Sequence, residues 1–261
     1  MSTAAEPLVT TIGKAEHDRV ILRGYDLCRE LVGHVSFGQM TYLMLMGRMP
    51  TPGQARMVEA LLTVLVEHGM TSSAIAARLT YYCAPEALQG AVAAAILGAG
   101  SVHLGSATDC ARMLQEALAG QPPDADLDQL AAQIADRYLA ERRIIPGLGH
   151  RTHSGGDPRA DRLFEVAAET GVAGQHCDLL QRIARHASAR RGRLLPINVT
   201  GAMGAIAADL GLPWQLAKGF AIIGRSLGAL AHLADEVREP MGARLAELVN
   251  AHVVYQDPPS R

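Results

Sequence analysis

Aromatic side chains are scarce in this chain. They make up 4% of its 261 residues, with one tryptophan and three phenylalanines. Its core must therefore be built from small and aliphatic side chains, across which helices approach closely. No sign of charge dominates: 24 Lys and Arg face 26 Asp and Glu, a formal net charge of −2. That excludes the basic footprint of a nucleic-acid binder or of a protein drawn to an anionic membrane. Cysteines are few and far apart, at Cys28, Cys83, Cys110 and Cys177. None forms a C-x-x-C pair, so neither a zinc site nor a disulfide framework is indicated, and reduced thiols in a cytoplasmic protein are expected. A long unbroken apolar run is also missing. The least charged stretch, Ala87–Thr108, is interrupted by glycines and contains His103, and reads as a buried core helix running into a loop. The opening Met-Ser-Thr-Ala-Ala-Glu has no positive segment followed by an apolar one, so no secretory signal is expected.

What is present is helical periodicity. The chain is 49% hydrophobic, enough for a sizeable core. Residues 8–24 suit short extended segments, and Arg23-Gly24-Tyr25-Asp26 leads into a short helix. Ser36 with Gln39 forms a capping-box pattern ahead of Met40, Tyr42, Leu43 and Met46 at helical spacing. Thr51-Pro52-Gly53-Gln54 repeats the start signal, for a helix predicted to end near His68-Gly69. Further helices are predicted at 72–83, 85–100, 106–119, 125–142, 157–170, 173–190, 197–210 and 213–233. No strand alternation persists after residue 24, and residues 257–261 should fray.

One stretch stands out: Ile145-Pro146-Gly147-Leu148-Gly149-His150-Arg151-Thr152-His153-Ser154-Gly155-Gly156-Asp157-Pro158-Arg159. Pro146, Gly147 and Gly149 stop a helix, and Asp157-Pro158 starts the next with an acid cap and a first-turn proline. Glycine amides left open there can hold an anion or a ligand edge. His150 can move a proton near neutral pH, and Arg159 can grip a carboxylate by two parallel bonds. Local pattern leaves two readings open: a ligand-holding loop, or a well-capped turn with a satisfied histidine. The third glycine and preceding strand of a dinucleotide fingerprint are missing.

Pro-Gly-x-Gly-His-Arg followed by Asp-Pro-Arg resembles the citrate synthase superfamily, which includes the citryl-CoA lyases and the carboxy-terminal module of ATP-citrate lyase. Arg23-Gly24-Tyr25-Asp26, Ser36-Phe37, Tyr42-Leu43 and Gly47-Arg48-Met49-Pro50-Thr51 look like the family's opening block, and the likeness spans roughly residues 20–240. The resemblance implies an all-α, citrate synthase-like fold in which a large helical domain, 1–104 and 207–261, carries an inserted smaller helical domain, 105–206. It implies a homodimer or dimer of dimers, no tightly bound cofactor, and a coenzyme A thioester and a carboxylate as small-molecule ligands.

Site roles follow residue by residue. His103, in Gly100-Ser101-Val102-His103, matches the family histidine that donates to the thioester carbonyl and stabilises an enolate. Ser101 and Leu104 depart from that motif. His150 matches the histidine that exchanges a proton with the oxygen on the carbon joined or cleaved. His68, Arg159 and Arg225 match groups that bind the carboxylated substrate. Gly147, Leu148 and Gly149 lie where family backbone meets the adenine of coenzyme A, and Arg151 is assigned to the coenzyme with them. Arg182, Arg185, Arg190, Arg191 and Arg193 form a basic cluster, read first as a solvated helix end and second as a phosphate-binding surface. No metal set is apparent, and His153 is treated as a loop residue.

The family's third catalytic residue, an aspartate after Asn-Val, is absent. Thr200 stands there, in Asn198-Val199-Thr200-Gly201. A threonine hydroxyl is far too weakly basic to move the proton beside a thioester alone. Asp235 or Glu236 is a candidate substitute. The pattern fits a lyase that cleaves citryl-CoA or a related 3-hydroxy-3-carboxyacyl-CoA to an acyl-CoA and a 2-oxo acid. Cleavage needs no base at position 200, whereas condensation does. The alternatives are a synthase with a displaced base and a coenzyme A-binding protein without catalysis.

Overall fold

The computed structural model describes residues 7–100, 104, 106–149 and 155–257. Near the amino end lies a small antiparallel sheet of three strands in sequence order, β1 (Gly13–Ala15), β2 (Val20–Leu22) and β3 (Tyr25–Asp26). Lys14 pairs with Ile21, and Leu22 with Tyr25. Asp26 then caps a single π-helical turn, Leu27–Leu31, by accepting from the Cys28 and Arg29 amides.

The rest is helical. Both capping boxes read from the sequence are present with both bonds made: Ser36 with Gln39 opens α1 (Phe37–Met46), and Thr51 with Gln54 opens α2 (Pro52–Thr63). Helix α2 stops at Thr63 and not near His68. The apolar pattern misleads there because Leu65 stays buried in the turns that follow. Next come α3 (Ser72–Cys83), α4 (Leu88–Leu97), α5 (Ser106–Leu118), α6 (Leu127–Ala140), α7 (Pro158–Glu169), α8 (Gln175–Arg191) and α9 (Val199–Asp209). Helix α4 is shorter than the predicted 85–100, and no side chain caps its start. Only Ala91 and Ala95 of it are fully buried, while Leu97 is exposed, so it is not the wholly buried helix expected. The predicted 213–233 helix is split into a 3-10 turn, Trp214–Leu216, and α10 (Gly219–Arg238). A last helix, α11 (Gly242–His252), was not foreseen. Among the described residues, no helix is long and apolar enough to cross a membrane.

Helix α9 is the hub. Val199 to Ala208 are all buried, and α5, α7 and α8 pack around them, with α6 against α8. Glycine sets the spacing: a Cβ at Gly204 would lie 2.6 Å from the Ala107 carbonyl oxygen of α5. The remaining helices group on the other side, where α3, α4 and α10 meet through Ala77, Ala91, Ala95, Ala229 and Leu233. The α2–α7 contact and the 3-10 turn against α5 join the two groups, and one main core runs from Met57 and Leu61 through Leu114 and Ile183 to Met203, Ile206 and Phe220.

Two helix starts borrow their caps from elsewhere. Gly174, before α8, has no side chain to offer; Asp209, at the end of α9, accepts from the Gly174, His176 and Cys177 amides at 2.8, 3.0 and 3.0 Å. Glu236, in α10, accepts from the Met241 and Gly242 amides at 2.7 and 2.6 Å, and its other oxygen takes Arg78 at 2.6 Å.

Candidate active site

The glycine loop is pinned to the start of α9. Gly147 and Gly149 have φ of 87° and 81°, conformations that side-chain-bearing residues avoid. Gly147 also lies so close to α9 that an added Cβ would meet the Gly201 Cα at 2.8 Å and the Cys110 Sγ at 2.9 Å. Burial pushes the Cys110 thiol up to about 12, so it packs there as a neutral group. Leu148 bridges Ile197, the Asn198 amide donates to the Gly147 carbonyl at 2.9 Å, and the Gly149 amide donates to the Pro196 carbonyl at 2.7 Å. The Leu148 amide is taken by Ile145. The expectation of open glycine amides therefore fails at Gly149, whose amide the protein's own segment uses. Gly149 is the last described residue before His150; His150, Arg151, His153 and His103 lie outside the described residues.

Asp157 ties three elements together. It is 1% exposed and caps α7, accepting from the Arg159 amide at 3.1 Å. The Arg159 guanidinium binds it in a fork, Nε to Oδ1 and Nη2 to Oδ2, both 2.9 Å. The Val199 amide, at the start of α9, donates to Oδ2 at 2.9 Å. Burial would raise this carboxyl, but the Arg159 and Val199 bonds outweigh it and hold it below the usual carboxylate range. Arg159 thus does grip a carboxylate by two parallel bonds, and that carboxylate is its own chain's.

Arg225, on α10, is 8% exposed. Burial pushes it below the ordinary guanidinium value; nearby Glu67 pulls it back up and Arg159 pushes it down. The two arginines expected to meet one substrate are therefore close enough to repel each other. Glu67 also accepts from the His68 amide at 2.7 Å. His232 Nε2 lies 2.8 Å from Glu67 Oε2, off the axis of its N–H, while His232 Nδ1 accepts from Arg78 Nε at 3.4 Å. Burial opposes the Glu67 charge, and the His68 amide and His232 outweigh it, leaving its carboxyl below the usual range. Sequence reasoning missed Glu67 and His232. One available signal was spacing, since Arg225 and His232 are seven residues apart and share a face of α10.

Thr200 is 5% exposed at the start of α9. Its Oγ1 is hydrogen-bonded to the Ser106 hydroxyl, and it donates to Asn198 Oδ1 at 2.7 Å. Asp235 and Glu236, the candidate substitutes for a base, are both bonded to other groups. Glu236 is consumed by Arg78 and the α11 amides, and exposed Asp235 pairs with Arg238 at 2.9 Å. In the basic cluster, Arg182 is forked onto Asp178 and Arg190 onto Asp136, which favours the solvated helix-end reading for both. Arg185 lies 3.9 Å from Asp128 and also lines a cavity of about 770 Å³ between α7, α8 and the segment 194–197, with Phe164, Gln181, Leu194 and Ile197. Pro196 and Ile197, the partners of the glycine loop, form part of its wall. Among the described residues no group of three or more His, Cys, Asp or Glu is placed to hold a metal ion.

The family described as citrate synthase, C-terminal domain, matches residues 50–245. The solved citryl-CoA lyase of Hydrogenobacter thermophilus superposes with a TM-score of 0.87 at 36% identity, covering 98% of this chain and 97% of that one. ATP citrate lyase of Methanothrix soehngenii, solved with citrate and coenzyme A, gives a TM-score of 0.79 at 20% identity over 98% of this chain and 43% of that one, a likeness of fold. The citrate synthase of Acidithiobacillus ferridurans is 26% identical over 202 residues, 75% of this chain. This chain spans about half the length of such curated citrate synthases, 50% in that case.

Proposed function

Because the chain belongs to the citrate synthase family, we propose that it is a carbon–carbon lyase that splits citryl-CoA, or a related 3-hydroxy-3-carboxyacyl-CoA, into an acyl-CoA and a 2-oxo acid. The observation that carries this reading is the state of position 200: a buried hydroxyl whose one proton goes to Asn198, with no carboxylate among its partners in the described residues. Condensation begins by removing a proton from the carbon beside the thioester, and Thr200 is no base for that step. The two acids that might have replaced it are occupied at α11 and Arg238. The end-to-end likeness to a citryl-CoA lyase supports the same direction.

In this reading His150 takes the proton of the tertiary hydroxyl. The carbon–carbon bond breaks and its electrons move onto the thioester, forming an enolate. His103 donates to that enolate oxygen, and water protonates the carbon. Arg159, Arg225 and His68 hold the carboxylates of the 2-oxo acid portion. The cavity beside the glycine loop has the size of a small-molecule site and takes part of the coenzyme. Helices α5 to α9 pack among themselves, which supports 105–206 as the smaller domain, closing over its ligands in a homodimer.

Quench-flow with (3S)-citryl-CoA tests the proposal: oxaloacetate and acetyl-CoA are expected in equal amounts. Faster release of free coenzyme A from oxaloacetate and acetyl-CoA would make it a synthase. Calorimetric binding of coenzyme A with no turnover of either mixture would make it a binding protein.

A further inference from the structure

We infer that Ser106, Thr200 and Asn198 form a directional hydrogen-bonded strut that positions the two histidine-bearing segments of the site against each other, so that Thr200 holds geometry and moves no proton. The inference rests on the lyase reading for its kinetic consequence, though not for its structural one.

The direction of the strut follows from its fixed end. Asn198 caps α9: its Oδ1 accepts from the Gly201 amide at 2.9 Å, and its Nδ2 donates to the Gly149 carbonyl at 2.8 Å. Turning the side-chain amide over would set two donors against each other at Gly201 and two acceptors at Gly149, so its orientation is determined. Oδ1 only accepts, hence Thr200 donates to it across 2.7 Å. A hydroxyl carries one proton. Ser106 must therefore be the donor in its bond with Thr200. The chain of protons runs one way, from Ser106 to Thr200 to Asn198 to the Gly149 carbonyl.

Its two ends explain why it matters. Ser106 is the first residue of α5, three positions after His103. Gly149 immediately precedes His150. The strut thus spans from the segment that would hold the enolate oxygen to the loop that would move the hydroxyl proton, and Thr200 in its middle is buried. An aspartate in the same place has no proton to give Asn198 Oδ1 and would break the strut at that bond. The residue that departs from the family pattern is then a part of the scaffold, and Ser106 and Asn198 are positioning residues alongside it.

The test uses Thr200→Val, Thr200→Ser and Ser106→Ala in the full chain. Thr200→Val keeps the volume and removes the hydroxyl; Ser106→Ala removes the first donor at a partly exposed helix start. Loss of these bonds is expected to lower kcat on citryl-CoA by about tenfold, with KM within about twofold, since misplaced groups fail in the transition state more than in binding. Thr200→Ser is expected to restore kcat. Wild-type kcat in Thr200→Val, or no rescue by Thr200→Ser, overturns the inference. Amide hydrogen exchange without substrate reads the strut by itself. Faster exchange of the Gly149 and Asn198 amides is expected in Thr200→Val and Ser106→Ala and not in Thr200→Ser. Unchanged exchange overturns the strut even in an active lyase. Altered exchange in a protein that cleaves no citryl-CoA supports the strut and removes only the lyase reading.

Discussion

A single carboxylate shows how much one residue can be asked to do. Asp157 closes the first turn of α7, anchors Arg159 and takes an amide from α9. Because its folded carboxyl titrates below the unfolded reference of about 3.9, its contribution is complete above that value and disappears as pH falls through the folded one. Asp157→Asn retains a capping side chain but loses the charge. It should cost about 1.5–3 kcal/mol at neutral pH, the worth of hydrogen bonds to a charged group. Denaturant titrations at pH 7, 5, 4 and 3 would show the wild type converging on the variant as acid is added; a constant gap would refute this. The cap itself was legible in Asp157-Pro158, because it is made within four residues. The fork onto Arg159 was not, since the same arginine was equally suited to a substrate carboxylate, and nothing in the letters says which anion it meets first.

Among elements, glycines that look alike in the sequence have opposite roles. At Gly204 a methyl group would strike the Ala107 carbonyl, and at Gly201 it would sit 2.5 Å from the Gly147 carbonyl oxygen. At Gly90, in the first turn of α4, it would meet only the Ala87 Cβ at an ordinary 3.6 Å. Gly204→Ala should lose about 1–3 kcal/mol through overpacking, and Gly90→Ala should gain about 0.5–1 kcal/mol. Thermal melts of the two variants should move in opposite directions, and a shared sign would show that α5 and α9 are not held as tightly as described. Helix starts with their own capping boxes were readable, as at Ser36 and Thr51. Helix α11 was not, because its first amides are satisfied by Glu236 of α10 and no residue at its own start serves as a side-chain cap. The end of α2 was overrun for a different reason: burial continues past Thr63 after the helical hydrogen bonds cease.

On the scale of the whole molecule, the apolar surface is unevenly spent. Leu227, Leu230 and Val237 on α10, Leu248 and Val249 on α11, and Val253, Val254 and Tyr255 beyond it are all exposed. Two copies meeting there would remove that surface from water, in keeping with the homodimer proposed above. Light scattering should give twice the 27.7 kDa chain mass, and a monomer at micromolar concentration would count against it. The general architecture was legible because helix periodicity extends along most of the chain and the loop motif at 145–159 singles out one helical family. One more property follows from the cap that Asp209 lends to α8. As the nascent chain leaves the ribosome, the opening amides of α8 emerge some 35 residues ahead of the carboxylate that satisfies them. That turn stays frayed until α9 has been synthesised, and a transcript truncated between the two would yield a product that cannot complete its eighth helix.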